Sequence, residues 1–329
     1  MGLIDSAIDA LRFKETVFFK ENSDLQLKYD ALDKLNNEYP NNEELQSELY
    51  IVKKGLEGEN EIAYQLKKSN IGMYVLRDIK LKHKDLKAQI DYIIITPVFT
   101  YYVECKNLVG NIMVTDKGDF IREFTINNGK KIKKGMYSPL RQVEAQREVV
   151  RKIWESNSST IKKLFASKNF DYYRRVLVVA ANQDTILNTN KAPKDMKYKI
   201  LKSDSLIRQI EYDLAHRDSI DYVESKKGME EIAQAYLDLS LKEDIDYYNY
   251  YKEKYCDTSN DDVLREKLIE FRKKRSTEMN IPAYYVFTND ELEQLIRLKP
   301  KKLVDLKNSN ILSSIKIKTH GEQIIEIFK

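Results

Sequence analysis

The chain has 329 residues, 42% hydrophobic and 33% charged, and its formal net charge is only +4. That balance excludes a disordered or fibrous chain and does not by itself demand a nucleic-acid partner, although local basic patches fit inside it. Two cysteines and three histidines, scattered along the sequence, exclude a disulfide framework, a zinc-ligand spacing and a His-centred triad.

Residues 4–20 and 24–36 read as helices, and after the break at YPNN a longer helix runs from Glu43 towards Lys68, with an interruption expected near Gly55 and Gly58. Together with the N-terminal apolar stretches, residues 1–50 form a helical segment. The opening MGLIDS fits the loose N-myristoylation pattern. It lacks the charged-then-apolar layout of a secretory signal, and no run approaches the roughly 20 apolar residues of a membrane span. The chain is therefore expected in the cytoplasm, with no membrane partner.

Strands then cluster: GMYVLRDIKL, the pair within QIDYIIITPVFTYYVECKN, and GNIMVTDKGDFIREFTINNGK with turn signals at DKGD and NNGK. YSPLRQVEAQREVVRKIW is a helix with Ser138 at the N-cap and Pro139 at the first helical position, where a missing N–H costs nothing. RRVLVVAANQ reads as a buried strand, and MKYKILKSDSLIRQIEYDL as strand then helix, capped by Ser203 or Asp204. Residues 228–256 look helical and end in the tyrosine-rich DYYNYYKEKYC, whose rings are expected to pack between domains more than to stack on bases. DTSNDD reads as a linker. The alternation gives an α/β class, with a domain over 51–240, a helical linker over 241–260 and an all-α module over 261–329.

Charges stand out in the central pair of strands. If the two runs form a hairpin turning at Pro97-Val98, residues whose numbers sum to 195 oppose each other, so Asp91 faces Glu104 and Gln89 faces Lys106. Period-two alternation puts Glu104 and Lys106 on one face and turns Cys105 to the other. YIIIT and YYV are too apolar for a wet strand and imply a sheet covered on both faces. Two carboxylates so close require a positive group between them or a shared proton. A hard divalent cation, Mg²⁺ or Mn²⁺, satisfies that need, and a lysine beside it could act on a bound water. The bland alternative is a surface ion pair between Glu104 and Lys106, contributing about 0–1 kcal/mol.

The pattern D-x₁₂-E-x-K across a hairpin resembles the core of the PD-(D/E)xK nuclease superfamily, and AQIDYIIITPVFTYYVECKNLVGNI is similar to its NERD (nuclease-related) branch. KGLEGENEIAYQL resembles the opening helix of that family and places Glu59 at its acidic position. SPLRQVEAQ resembles a later helix and places Gln142 at its glutamine. The resemblance implies a mixed sheet flanked by helices in a restriction-endonuclease-like arrangement. Asp91, Glu104 and the backbone carbonyl of Cys105 would hold the metal, Glu59 would reach it through a water, Lys106 would act on the attacking water, and Gln142 would assist. The Cys105 side chain would pack in the core. The helical setting agrees for Glu59, which shares the apolar face of Leu56 and Ala63.

Residues from about Asp261 resemble an HRDC domain in the order of their parts: a long helix with Leu264, Leu268 and Phe271, the segment IPAYYVF, a helix capped at Asn289, one started by Pro300, and a late glycine, Gly321. The family's Gly-x-Gly turn is replaced by NSNILSSIKIK. Such modules bind nucleic acid or dock other proteins, which makes a separate helicase or another protein a candidate partner, and a homodimer is open. Residues 261–329 hold fourteen Lys and Arg against eleven Asp and Glu. The footprint is therefore weak, with Arg272, Lys273, Lys274 and Arg275 its densest run. Lys130, Lys131, Lys133 and Lys134, read as a loop before the Gln142 helix, together with Arg141 and Gln89, are the better expected rim for nucleic acid, DNA above RNA. The leading expectation is a metal-dependent nuclease acting in repair, plasmid maintenance or defence. Its rival is a non-catalytic binding or adaptor protein on a decayed nuclease fold, against which the joint presence of Asp91, Glu104 and Lys106 argues.

Overall fold

The computed structural model describes residues 12–126, 129–156, 169–256 and 260–328. The chain divides into two compact units, Met1–Tyr248 and Asn249–Lys329.

In the first unit the order is β1 (Thr16–Lys20), α1 (Asp24–Glu38), α2 (Glu43–Lys67), β2 (Met73–His83), β3 (Leu86–Ile95), β4 (Thr100–Lys106), β5 (Asn111–Val114), β6 (Phe120–Thr125), β7 (Lys131–Met136), α3 (Pro139–Ser156), β8 (Arg174–Ala180), β9 (Leu187–Asn188), β10 (Ile200–Lys202), α4 (Leu206–Ala215) and α5 (Lys226–Leu239). A six-stranded sheet runs β1-β2-β3-β4-β8-β10, with β2, β3 and β4 an antiparallel meander and the outer neighbours parallel. A second sheet runs β7-β6-β5-β9.

The main sheet is apolar on both faces, as the isoleucine run requires. Ile93, Ile95, Tyr102 and Val178 pack with Val143, Val149 and Tyr236 of α3 and α5. Tyr92, Ile94, Tyr101 and Val103 pack on the other face with Ile62, Leu66 and Ile210 of α2 and α4. Period-two alternation thus sorts one continuous apolar string into two cores.

Several local expectations change. Within the stretch 4–20 expected to be helical, the described part includes strand β1, where Thr16, Val17 and Phe18 pair in parallel with Met73, Tyr74 and Val75. β-branched and aromatic residues win there because a sheet edge is available to them; residues 1–11 lie outside the described residues. Helix α2 runs without interruption, capped by Asn42, whose Oδ1 accepts from the Leu45 amide at 2.9 Å. Its Gly58 permits a close approach: a Cβ there would lie 2.6 Å from Asn107 Cβ and 3.2 Å from Cys105 Sγ. Residues 131–136, expected as loop, form β7 against β6. Ser203 and Asp204 belong to a single 3₁₀ turn before α4, whose N-cap position is Ser205; its hydroxyl donates to Asp204 Oδ1 at 3.2 Å and caps no helix amide. The helix expected over 228–256 is two helices, α5 and α6 (Tyr247–Tyr255).

The second unit contains α7 (Asn260–Glu278), a single turn Ala283–Val286, α8 (Asn289–Leu298), α9 (Leu303–Ser309) and α10 (Ser314–Ile327) around Leu268, Phe287, Leu295, Leu306 and Ile324. The cap of α8 is Thr288 and not Asn289: Thr288 Oγ1 accepts from the Glu291 amide at 3.1 Å, and Glu291 Oε2 accepts from the Thr288 amide at 2.6 Å. This reciprocal pair satisfies two orphan donors at once. Where a Gly-x-Gly turn is missing, Asn310 ends α9 in the left-handed region at φ 56°, a conformation its short polar side chain tolerates.

Candidate active site

Strands β3 and β4 pair as Tyr92 with Val103, Ile93 with Tyr102, Ile94 with Tyr101 and Ile95 with Thr100, the register expected from the sequence. Thr96 closes the hairpin, its amide donating to the Phe99 carbonyl at 2.9 Å. The next step in that register sets Asp91 against Glu104. Asp91 Oδ2 accepts the Cys105 amide across the strands at 2.7 Å, and among the described residues Asp91 Oδ1 has no hydrogen bond. Because a strand residue's N–H and C=O leave on the same side, the Cys105 carbonyl also faces Asp91. The Cys105 side chain packs in the core beneath α2, and burial pushes its thiol well above the ordinary range, so it is no nucleophile.

Glu104 is buried. Lys106 Nζ donates to its Oε1 at 2.5 Å and to Gln142 Oε1 at 3.3 Å. Gln146, one helical turn along α3, donates through Nε2 to Glu104 Oε2 at 3.2 Å and to the Gln89 carbonyl at 2.7 Å. Four residues of α3 spacing thus put both glutamines over the strand ends. Gln142's own amide is occupied by the Ser138 carbonyl at 3.1 Å, so the free-amide anion site expected in this first turn is not offered at that residue. Ser138 caps the helix as expected, its Oγ accepting from the Arg141 amide at 3.2 Å.

Burial first, then the nearby Glu104 and Glu59 carboxylates, push the Asp91 carboxyl well above its ordinary value, against a smaller pull from the Cys105 amide and Lys106. Asp91, Glu59, Gln89, Gln142 and Gln146 share the lining of one cavity of about 720 Å³.

Two expected members are engaged elsewhere. Glu59, buried on α2, accepts from Arg77 Nε at 2.7 Å. Burial raises the Glu59 carboxyl, and Arg77 pulls it part of the way back. Gln89 does not reach Lys106; its Nε2 donates to Asp78 Oδ1 at 2.7 Å. Asp78 itself is left-handed, at φ 54°, in the middle of β2, a costly conformation for a residue with a Cβ. It is pinned from several sides: its Oδ2 accepts from the Asp24 amide at 2.7 Å, and Lys20 Nζ donates to the Arg77 and Asp78 carbonyls at 2.7 and 2.8 Å.

The expected basic rims fare differently. Lys133 pairs with Glu123 at 3.2 Å, and neither it nor Lys130, Lys131 or Lys134 lines the cavity. Arg141 is exposed on α3. In the second unit Arg272 is tied to Asn289 at 2.8 Å and Arg275 to Glu278 at 2.8 Å, while Lys273 and Lys274 are exposed. Tyr247 and Tyr248 of α6 donate to Asp24 and Glu38, each at 2.7 Å, and so serve packing. Gln146 and Arg77 escaped sequence reading. Their signals were a second glutamine four places after Gln142 and a charged pair inside the apolar run YVLRDI.

Residues 54–180 match the family model of NERD, the nuclease-related domain, and residues 261–328 match that of the HRDC domain. The chain carries a NERD domain followed by an HRDC domain. No curated protein and no solved structure matches it. The NERD match spans Glu59, Asp91 and Gln142, which line the cavity, and Glu104 and Lys106, which Gln146 and Gln142 of the lining contact. The two domains make the chain a nuclease-like, nucleic-acid-binding protein. Among the described residues no helix is long and apolar enough to cross a membrane.

The candidate donor set in the NERD domain is two carboxylates and a backbone carbonyl. Among the described residues no three His, Cys, Asp or Glu side chains group closely enough to hold a metal. An unbonded carboxylate oxygen on Asp91, a neighbouring like charge and a converging carbonyl still fit a hard divalent cation, which takes oxygen ligands and keeps waters. Glu59 fits less well, because Arg77 holds it.

Proposed function

We propose that the protein is a metal-dependent nuclease that hydrolyses phosphodiester bonds of DNA. The carrying observation is the set of contacts Asp91–Cys105 amide and Glu104–Lys106–Gln142, assembled from two adjoining strands and helix α3 beside a cavity that Asp91 and Gln142 line. Asp91, Glu104 and the Cys105 carbonyl would hold Mg²⁺ or Mn²⁺. When bound, that ion supplies charge to the scissile phosphate and acidity to a water.

The side chains account for the rest. An ammonium has three donors; Glu104 and Gln142 take two from Lys106, which leaves the third to hold the attacking oxygen. Gln142 orients Lys106, and Gln146 fixes the Glu104 carboxylate through its second oxygen. Loss of a positioned proton-handling group costs about 10²–10⁴-fold in rate.

In this reading residues 51–240 carry the chemistry and residues 261–329 recruit nucleic acid or a partner such as a helicase, in the cytoplasm. Repair, plasmid maintenance and defence are processes that use such an activity. Circular and linear DNA incubated with Mg²⁺, Mn²⁺ or EDTA tests the reading. Cutting is expected with metal alone and is lost in Asp91→Ala, Glu104→Ala and Lys106→Ala. Intact DNA under every metal would leave the adaptor reading in its place.

A further inference from the structure

We propose that the cavity above Asp91 binds a single strand of nucleic acid, with Lys28, Lys87 and Lys152 on its phosphates and Tyr137 stacked on a base. The inference deepens the nuclease reading and rests on it for the role of the cavity floor.

The three lysines come from three elements, α1, β3 and α3, and converge on the same cavity. Among the described residues none of them is in an ion pair. Lys28 approaches the Tyr247 ring, 5.3 Å from its centroid, and feels the Asp24 carboxylate, as Lys87 feels that of Glu243, without a direct ion pair. Glu148 shares the lining but is held by Arg151 at 3.1 Å. A positive rim therefore surrounds an acidic floor. An anionic chain is attracted to the rim, and its reacting phosphate would need a cation between it and the floor.

Tyr137 lies in the same lining and is 72% exposed. Its backbone is fixed, because the next residue, Ser138, caps α3 through both its carbonyl and its hydroxyl. An open ring on an anchored backbone beside a basic groove is an arrangement that holds unpaired bases by stacking, whatever their identity.

The geometry of the ring selects the strand. At about 720 Å³ the cavity has room for a nucleotide-sized group. Stacking on Tyr137 needs a base whose face is free, which an unpaired, unstacked strand offers and the interior of a duplex does not. The lysines at 130–134 are set apart from this rim, and Lys131, Lys133 and Lys134 belong to β7 of the second sheet.

The test is fluorescence anisotropy of the full chain in EDTA, where cutting is not expected to interfere. The probes are labelled oligothymidylate of about 15 nucleotides, oligouridylate of equal length, and a blunt duplex. The expected result is that one or both single strands bind at least about tenfold tighter than duplex, the two homopolymers separating DNA from RNA. Tyr137→Ala should weaken binding about tenfold. Exchanging all three lysines for glutamine should flatten the plot of log affinity against log salt by about 2. Thermal melts verify that each variant is folded; if the triple variant is not, single Lys→Gln variants each flatten the slope by about 0.7. Duplex bound as tightly as single strand, or slopes unmoved in folded variants, overturns the proposal. If single strands bind through these residues yet no substrate is cut with Mg²⁺ or Mn²⁺, the nuclease reading fails and the strand site stands.

Discussion

Arg77 Nε donates to Glu59 Oε2 at 2.7 Å, with both side chains more than nine-tenths buried, and this pair removes Glu59 from direct competition for a cation. Asp91 and Glu104 are left as the carboxylates proposed to hold a cation. The Glu59 backbone is anchored as well, its carbonyl accepting from Tyr92 Oη at 2.7 Å.

Breaking that pair from one side should be expensive. Arg77→Met strands a buried carboxylate and Glu59→Gln strands a buried guanidinium, each costing about 3–5 kcal/mol. The double variant Arg77→Met/Glu59→Gln should recover most of the loss. Urea denaturation of the four proteins forms the cycle, and additive losses would show that the two side chains do not depend on each other.

Asp91 should behave as a stability liability without metal. Its carboxyl lies well above the ordinary value of 3.8, chiefly through burial, so the folded protein holds that proton more tightly than the unfolded chain. Wild type therefore loses stability as pH rises from the ordinary value through the folded one, and the full penalty persists above. Asp91→Asn removes the penalty while keeping an acceptor for the Cys105 amide. In EDTA the variant should melt higher than wild type at neutral pH, with the gap closing below about pH 4. Added Mg²⁺ or Mn²⁺ should raise the Tm of wild type and leave that of the variant unchanged. A variant less stable than wild type in neutral EDTA would contradict this account.

Gly58 should tolerate no side chain. A Cβ would lie 2.6 Å from Asn107 Cβ, an atom with no freedom to swing away. Gly58→Ala must push α2 off the end of β4, at a cost of about 1–3 kcal/mol. Since α2 carries Glu59 and β4 carries Glu104 and Lys106, cleavage should fall along with the melting temperature. A melting temperature equal to wild type would show that the helix has room to move.

His320 should make the HRDC domain acid-sensitive. The residue is 3% exposed, and among the described residues its Nδ1 has no hydrogen-bond partner. Burial, then Arg275 and Lys316, lower its pKa below the ordinary 6.5. The unfolded chain therefore binds the proton first, and stability is lost as pH falls from 6.5 towards the folded value. Proton NMR of the full chain should show the ring titrating below its ordinary midpoint. His320→Phe should abolish the acid-induced fall in stability; an ordinary midpoint of 6.5 would count against burial as the cause.

Local pattern carried a great deal. The β3–β4 register followed from an apolar string with polar ends, because a slip of one residue would turn every side chain to the wrong face. The Ser138–Pro139 helix start, the two-faced sheet and the separate helical module were legible for the same reason. Local pattern misread residues 16–20 and 131–136, where strand formation depends on a neighbouring edge: β2 for the first, β6 for the second. It also assigned the cap of α8 one residue late, since Thr288 and Asn289 are both cap formers and only the bond to Glu291 separates them.

By itself, then, the sequence determined which acids and which lysine share a strand pair, because alternation and register act between chain neighbours. Tertiary structure alone decided that Arg77 claims Glu59, that Gln146 clamps Glu104, and that lysines from α1, β3 and α3 meet over Asp91. Those meetings depend on how helices settle onto the sheet, and packing brings together residues that no periodicity along the chain connects.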